Sequence, residues 1–87
     1  AWMKSIHDYR YQQLIRKMVV EREQRDVTQL QLAQTLDKPQ SYVAKVENFD
    51  RRLDVVELAD WLRALGVNPQ AFTNEFEWFA GGAAGNA

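Results

Sequence analysis

The 87-residue chain has no cysteine, which excludes disulfides and thiolate metal sites and suits a reducing cytoplasm. No run approaches the roughly 18 uninterrupted apolar residues of a membrane-spanning helix, and no apolar h-region of a secretory signal is visible at the N-terminus. His7 is the single histidine, and it lies where a chain start frays. Of the four glycines, all but Gly66 fall at residues 81–85, so no glycine-rich phosphate loop exists. No His, Cys or carboxylate cluster has metal-ligand spacing, and Glu21 and Glu23 diverge on a helix. These absences argue against an enzyme and predict neither a cofactor nor a metal. Period-2 strand patterns and internal repeats are absent as well.

What remains is a short chain that makes one domain with a modest core. Its net charge is −1, but the charge is unevenly spread. Residues 1–52 carry every Lys and Arg except Arg63 and sum to +3, whereas residues 53–87 sum to −4. A polyanion responds to the field of the face it meets, so the basic first part is compatible with nucleic acid.

The pattern is helical throughout. Tyr11, Leu14, Ile15, Met18 and Val19 form an apolar stripe in a first helix expected over about Ser5 to Glu23. Thr28 is a good N-cap, with Val27 and Leu32 placed as a hydrophobic staple, for a second helix over about Gln29 to Leu36. Pro39 breaks that helix and opens a third, running from about Gln40 to Glu47 with Val43 and Val46 inward. Gln40, Ser41, Tyr42, Ala44 and Lys45 are left mostly outward. Asp54 and Glu57 form a capping box for a fourth helix that carries Val55, Leu58, Ala59, Leu62 and Leu65 and stops at Gly66. Asn68-Pro69 starts a fifth, in which Phe72, Phe76 and Phe79 recur at four and three residues. Residues 1–79 are therefore read as the domain and 80–87 as a Gly/Ala-rich tail.

Two short helices joined by a tight turn, over about 28–47, have the layout of a helix-turn-helix, whose second helix enters the DNA major groove. Ala33 supplies a small residue at the crossing, and Leu32, Leu36, Val43 and Val46 can lock the pair. Thr28-Gln29, Leu32-Ala33, Gln40-Ser41, Val43, Val46-Glu47-Asn48, Arg52 and Ala64-Leu65-Gly66-Val67 resemble the Xre/Cro/C1-type helix-turn-helix family of phage and bacterial regulators. The resemblance runs without gaps from about Leu14 to Pro69.

It implies an all-α, compact five-helix, lambda-repressor-like domain. It also implies a transcriptional regulator, a repressor that binds a palindromic operator in double-stranded DNA as a homodimer. By the same resemblance Gln29 touches a phosphate and braces the start of the reading helix, and Gln40 and Ser41 read base edges. Lys45 reaches the groove one turn later, Tyr42 touches a thymine methyl or a phosphate, and Arg22 pairs with Glu47. Arg51 and Arg52 sit where backbone-contacting cations are wanted, and one of them has Asp50 or Asp54 as an alternative partner. The chain departs from the family at three turn positions that usually hold glycine, now Asp26, Asp37 and Phe49. Asp37 also brings negative charge close to the DNA face.

The aromatic end admits two readings. Phe72, Phe76, Trp78 and Phe79 either close the core over the first helix, with Trp2, Tyr9 and Tyr11, or form a dimer interface. Trp61 reads as core. The rival function is a protein-interaction module, for instance the antitoxin of a toxin pair, whose acidic second half suits a basic partner.

Overall fold

The computed structural model describes residues 5–81; Trp2 and most of the expected tail lie outside this range. A single 3₁₀ turn, Ser5–His7, precedes five α-helices: α1 Tyr9–Gln24, α2 Gln29–Leu36, α3 Gln40–Glu47, α4 Val55–Leu65 and α5 Pro69–Asn74. A π-helical turn, Glu77–Gly81, follows. Among the described residues there is no strand. None of their helices is long and apolar enough to cross a membrane.

Helix starts follow their caps. The Asp8 carboxylate accepts from the Arg10 amide at 2.8 Å, so α1 begins at Tyr9 and not at about Ser5 as expected. Thr28 with Gln31, and Asp54 with Glu57, close full capping boxes on α2 and α4. Asn68 caps α5 above Pro69. These bonds satisfy amides that an α-helix leaves without an internal partner.

Four helices end in one and the same motif. The amides of Val27, Lys38, Asp50 and Val67 bond to the carbonyls of Arg22, Ala33, Lys45 and Leu62, five residues back. The preceding amides, of Asp26, Asp37, Phe49 and Gly66, bond three residues back. This is the Schellman arrangement, which requires a left-handed residue. Asp26, Asp37, Phe49 and Gly66 supply it with φ of 57°, 58°, 64° and 71°. The turn geometry of a glycine-bearing sequence is thus retained with glycine at one of the four positions. Asp tolerates the left-handed region through its short polar side chain. Phe49 has no such excuse; its ring is held by packing against the core and lies under the Arg16 guanidinium, 5.4 Å from the ring centroid.

The core is one cluster. Ile15 and Met18 of α1, Leu32 and Ala33 of α2, Val43 and Val46 of α3, and Trp61 and Leu62 of α4 are all essentially fully buried. Phe72 and Phe76 close it from the C-terminal side. Leu36 and Leu58 are partly buried, and Val55 and Ala59, expected on the apolar stripe of α4, face solvent. α5 stops at Asn74, so Phe76 lies in the connection after it and Phe79 on the π-helical turn, despite their helical spacing.

Candidate nucleic-acid interface

The α2–α3 pair is fastened from behind by a polar cluster around Arg22. Its Nε and Nη2 donate to Glu47 Oε2 and Oε1 at 2.7 and 2.9 Å, and its Nη1 donates to the Val27 carbonyl at 2.7 Å. Gln29 Nε2 donates to the same Glu47 Oε1 at 2.8 Å. One guanidinium thereby joins α1 to the turn before α2 and to the last residue of α3. The Arg22 and Glu47 side chains are only 10 % and 6 % exposed, so the ionic contact is shielded from solvent and salt. This donation from Gln29 goes to the end of α3, not to its beginning.

The front of α3 is open. Gln40, Ser41 and Lys45 are exposed on one side of an eight-residue helix. Among the described helices α3 is the one whose N-terminus has no side-chain cap, since Pro39 holds the cap position. Its first amides and its partial positive charge therefore face outward with Gln40 and Ser41. An amide, a hydroxyl and an ammonium spaced along such a helix can meet base edges in a major groove.

Tyr42 is not outward, as the helical pattern suggested, but half-buried against α4. Its ring meets Trp61 edge-on at 5.9 Å. Its hydroxyl accepts from Trp61 Nε1 at 3.2 Å and donates to Glu57 Oε2 at 3.3 Å. Burial pushes its hydroxyl pKa up, against the smaller opposing effect of the Trp61 bond. Tyr42 thus anchors α3 to the core.

Arg51 pairs with neither Asp50 nor Asp54 but with Glu57, at 2.9 Å, and its guanidinium lies 4.7 Å from the Tyr42 ring centroid. The hydrogen bond from Arg51, together with the Asp54 amide, holds the Glu57 carboxyl below the usual carboxylate range. Arg52 is exposed on the same connection. Glu57 was legible in the sequence as a capping-box residue. Its contacts with Tyr42 and Arg51 cross between elements, and no local spacing rule encodes them.

The aromatic end divides. Phe72 and Phe76 are 1 % and 3 % exposed and belong to the core, which removes them from the surface of a possible dimer interface. Trp78 and Phe79 are 37 % and 50 % exposed, and Tyr9 69 %. Trp78 is tied to α1 by donation from its Nε1 to Gln13 Oε1 at 3.0 Å. Tyr11 is turned inward, accepting from the Leu53 amide at 2.9 Å.

Comparison with known proteins agrees with this geometry. The family model described as helix-turn-helix matches residues 21–72. The fold is similar to that of an XRE-family like protein from Pseudomonas syringae pv. tomato str. DC3000, with 41% sequence identity and a TM-score of 0.79. That similarity covers 87% of this chain and 93% of the other. No curated protein matches significantly.

Proposed function

The chain belongs to the XRE-type helix-turn-helix family, and from that premise we propose that it is a sequence-specific DNA-binding transcriptional regulator. The observation that carries this reading is the outward face of α3. Gln40, Ser41 and Lys45 stand exposed on a helix whose opposite side is locked by Val43, Val46, Tyr42 and Glu47. A rigid reading helix with free polar side chains is what base recognition needs, because each reader must be held in register with a base edge.

In this reading Gln40 and Ser41 contact bases near the N-terminus of α3, and Lys45 does so one turn later. Gln29 and Arg52 meet the backbone on either side. Tyr42 and Arg51 hold the reading helix instead of reading. The regulator acts as a repressor, and two copies bind a palindromic operator with their reading helices about one DNA turn apart. It works without catalysis, in the cytoplasm.

The test is binding to random duplex DNA across a salt series, with wild type against Lys45→Ala/Arg52→Ala. The expected affinity is in the range of about 10⁻⁴–10⁻⁶ M at physiological salt and falls steeply as salt rises. The variant should bind more weakly. No binding at low salt would overturn the reading.

The exposed Tyr9, Trp78 and Phe79 favour a second, compatible role for the C-terminal end as a protein contact. A second copy of the chain suits the operator symmetry. An antitoxin-like contact with a basic partner is the rival occupant, and a stoichiometric partner at co-purification would identify it.

A further inference from the structure

The connection between α3 and α4 holds a cation already engaged inside the protein. Arg51 Nη2 and Nη1 donate to Glu57 Oε2 and Oε1 at 2.9 and 3.3 Å. Nη1 also donates to the Arg52 carbonyl at 3.0 Å, and the guanidinium carbon lies over the Tyr42 ring, 4.7 Å from its centroid. Glu57 in turn accepts from the Asp54 amide at 3.0 Å and from the Tyr42 hydroxyl at 3.3 Å. Arg51, Tyr42 and Asp54 thus all converge on one carboxylate. The pair is partly open to solvent, with the Arg51 side chain 42 % and that of Glu57 22 % exposed. Arg51 stands on the connection that leaves α3, and the DNA-binding reading brings a backbone phosphate to that connection.

We propose that Glu57 withholds Arg51 from the DNA backbone and so sets how tightly the domain holds DNA of any sequence. The inference rests on the DNA-binding reading of α3. A phosphate could take Arg51 only by breaking a two-pronged contact that is backed by a carbonyl and an aromatic face. The Glu57 charge would then be left beside the phosphate, well inside the screening length of about 8 Å at physiological salt. Affinity for random sequence grows with the number of phosphates neutralised. Base reading by Gln40 and Ser41 does not pass through that pair. Keeping Arg51 occupied therefore lowers binding to every sequence alike and leaves the preference among sequences to the base readers.

Glu57→Gln tests this. It keeps the side-chain shape and an acceptor for the Asp54 amide but removes the charge. On random duplex the variant is expected to bind about three- to tenfold tighter at low salt. Its log K against log salt should steepen by about 0.9, the increment for one added phosphate contact. Adding Arg51→Ala should return the slope to the wild-type value, and Arg51→Ala alone should change the wild-type slope by less than half that amount. A purely structural role for Glu57 would not move the slope in this way.

An unchanged slope in folded Glu57→Gln would overturn the inference while leaving DNA binding intact. Should Glu57→Gln not fold, Arg51→Ala decides alone: a loss of about 0.9 from the slope would show that Arg51 already contacts a phosphate and would overturn the inference. Absence of binding by wild type at low salt would overturn the DNA reading and this inference together.

Discussion

Arg22 and Glu47 meet as a two-pronged ion pair between α1 and the end of α3, at 2.7 and 2.9 Å, with both side chains nearly buried. Gln29 and the Val27 carbonyl complete the set of partners. Such a pair contributes little net stability compared with apolar side chains of equal size, because both ions must leave water. Its removal from one side is another matter, since the remaining charge is stranded. Arg22→Ala and Glu47→Ala are each expected to lower unfolding free energy by about 3–5 kcal/mol. The double variant should lose less than the sum of the two. Urea unfolding of all four proteins measures this, and additive losses would show that the two side chains act separately.

The left-handed turn residues should respond to glycine in opposite directions. Asp26→Gly and Asp37→Gly relieve backbone strain at φ of 57° and 58° and remove exposed side chains that pack on little. Each is expected to stabilise by about 0.5–1 kcal/mol, net of the extra entropy glycine has when unfolded. Phe49→Gly relieves the same kind of strain but loses a ring packed on the core and under Arg16. That loss should prevail, with a net destabilisation of about 1–3 kcal/mol. Thermal midpoints of the three variants check the signs.

These positions also show what was legible in the sequence. Thr28, Asp54 and Asn68 announce helix starts because each bonds within a few residues of itself, and Pro39 announces a fourth because it cannot continue α2, so four of the five helix starts are legible locally, as is the end of α4 at Gly66. The start expected at Ser5 lies before the Asp8 cap, since the apolar stripe begins only at Tyr11 and does not by itself mark the first turn. Phe79 keeps helical spacing on a chain that has already left the helix. Within the site, Gln40, Ser41 and Lys45 were legible from periodicity. Tyr42 was not, because at the border of two faces its direction is decided by Trp61, nineteen residues away. The partner of Arg51 likewise lies on the next helix.

Base readers and backbone binders should separate in a selection from randomised duplexes. Gln40→Ala is expected to cost about 1–3 kcal/mol on the preferred site and to relax preference at one base pair. On random DNA it should change little. Arg52→Ala should weaken all sequences alike and reduce the salt slope by about 0.9. Equal losses on selected and random DNA for Gln40→Ala would remove Gln40 from the readers.

Stability should decline on the acid side for identifiable reasons. The hydrogen bond from Arg51 holds Glu57 below its ordinary value of 4.5, and that from Arg10 takes Asp8 from 3.8 to about 2. Burial pushes Glu21 up, but its bonds with Arg25 and Lys17 outweigh that and leave it lowered. A carboxyl whose folded-state pKa is depressed stabilises fully above its unfolded value, and the contribution is lost as pH falls through the folded one. The urea midpoint should therefore be flat above about pH 5 and fall progressively toward pH 2. Glu57→Gln should shallow that fall. An identical acid slope in wild type and variant would show that Glu57 binds its proton equally in both states.

The aromatic end offers a test of assembly that leaves the core untouched. Phe72 and Phe76 cannot be replaced without opening a cavity, since both are buried in the core. Phe79 and Tyr9 are exposed and can be. Trp78 stands between the two cases, because its indole is bonded to Gln13 and its ring lies between Phe76 and Phe79 at centroid distances of 5.3 and 5.6 Å. If this surface joins two copies, Tyr9→Ser/Phe79→Ser should shift sedimentation from dimer to monomer while the thermal midpoint, extrapolated to low concentration, stays near wild type. Operator binding should become less cooperative, whereas the affinity of one domain for random duplex should not change. A protein that sediments as a monomer before and after the substitution would leave this surface to a partner of another kind, and the operator would then need to be read by one copy at a time.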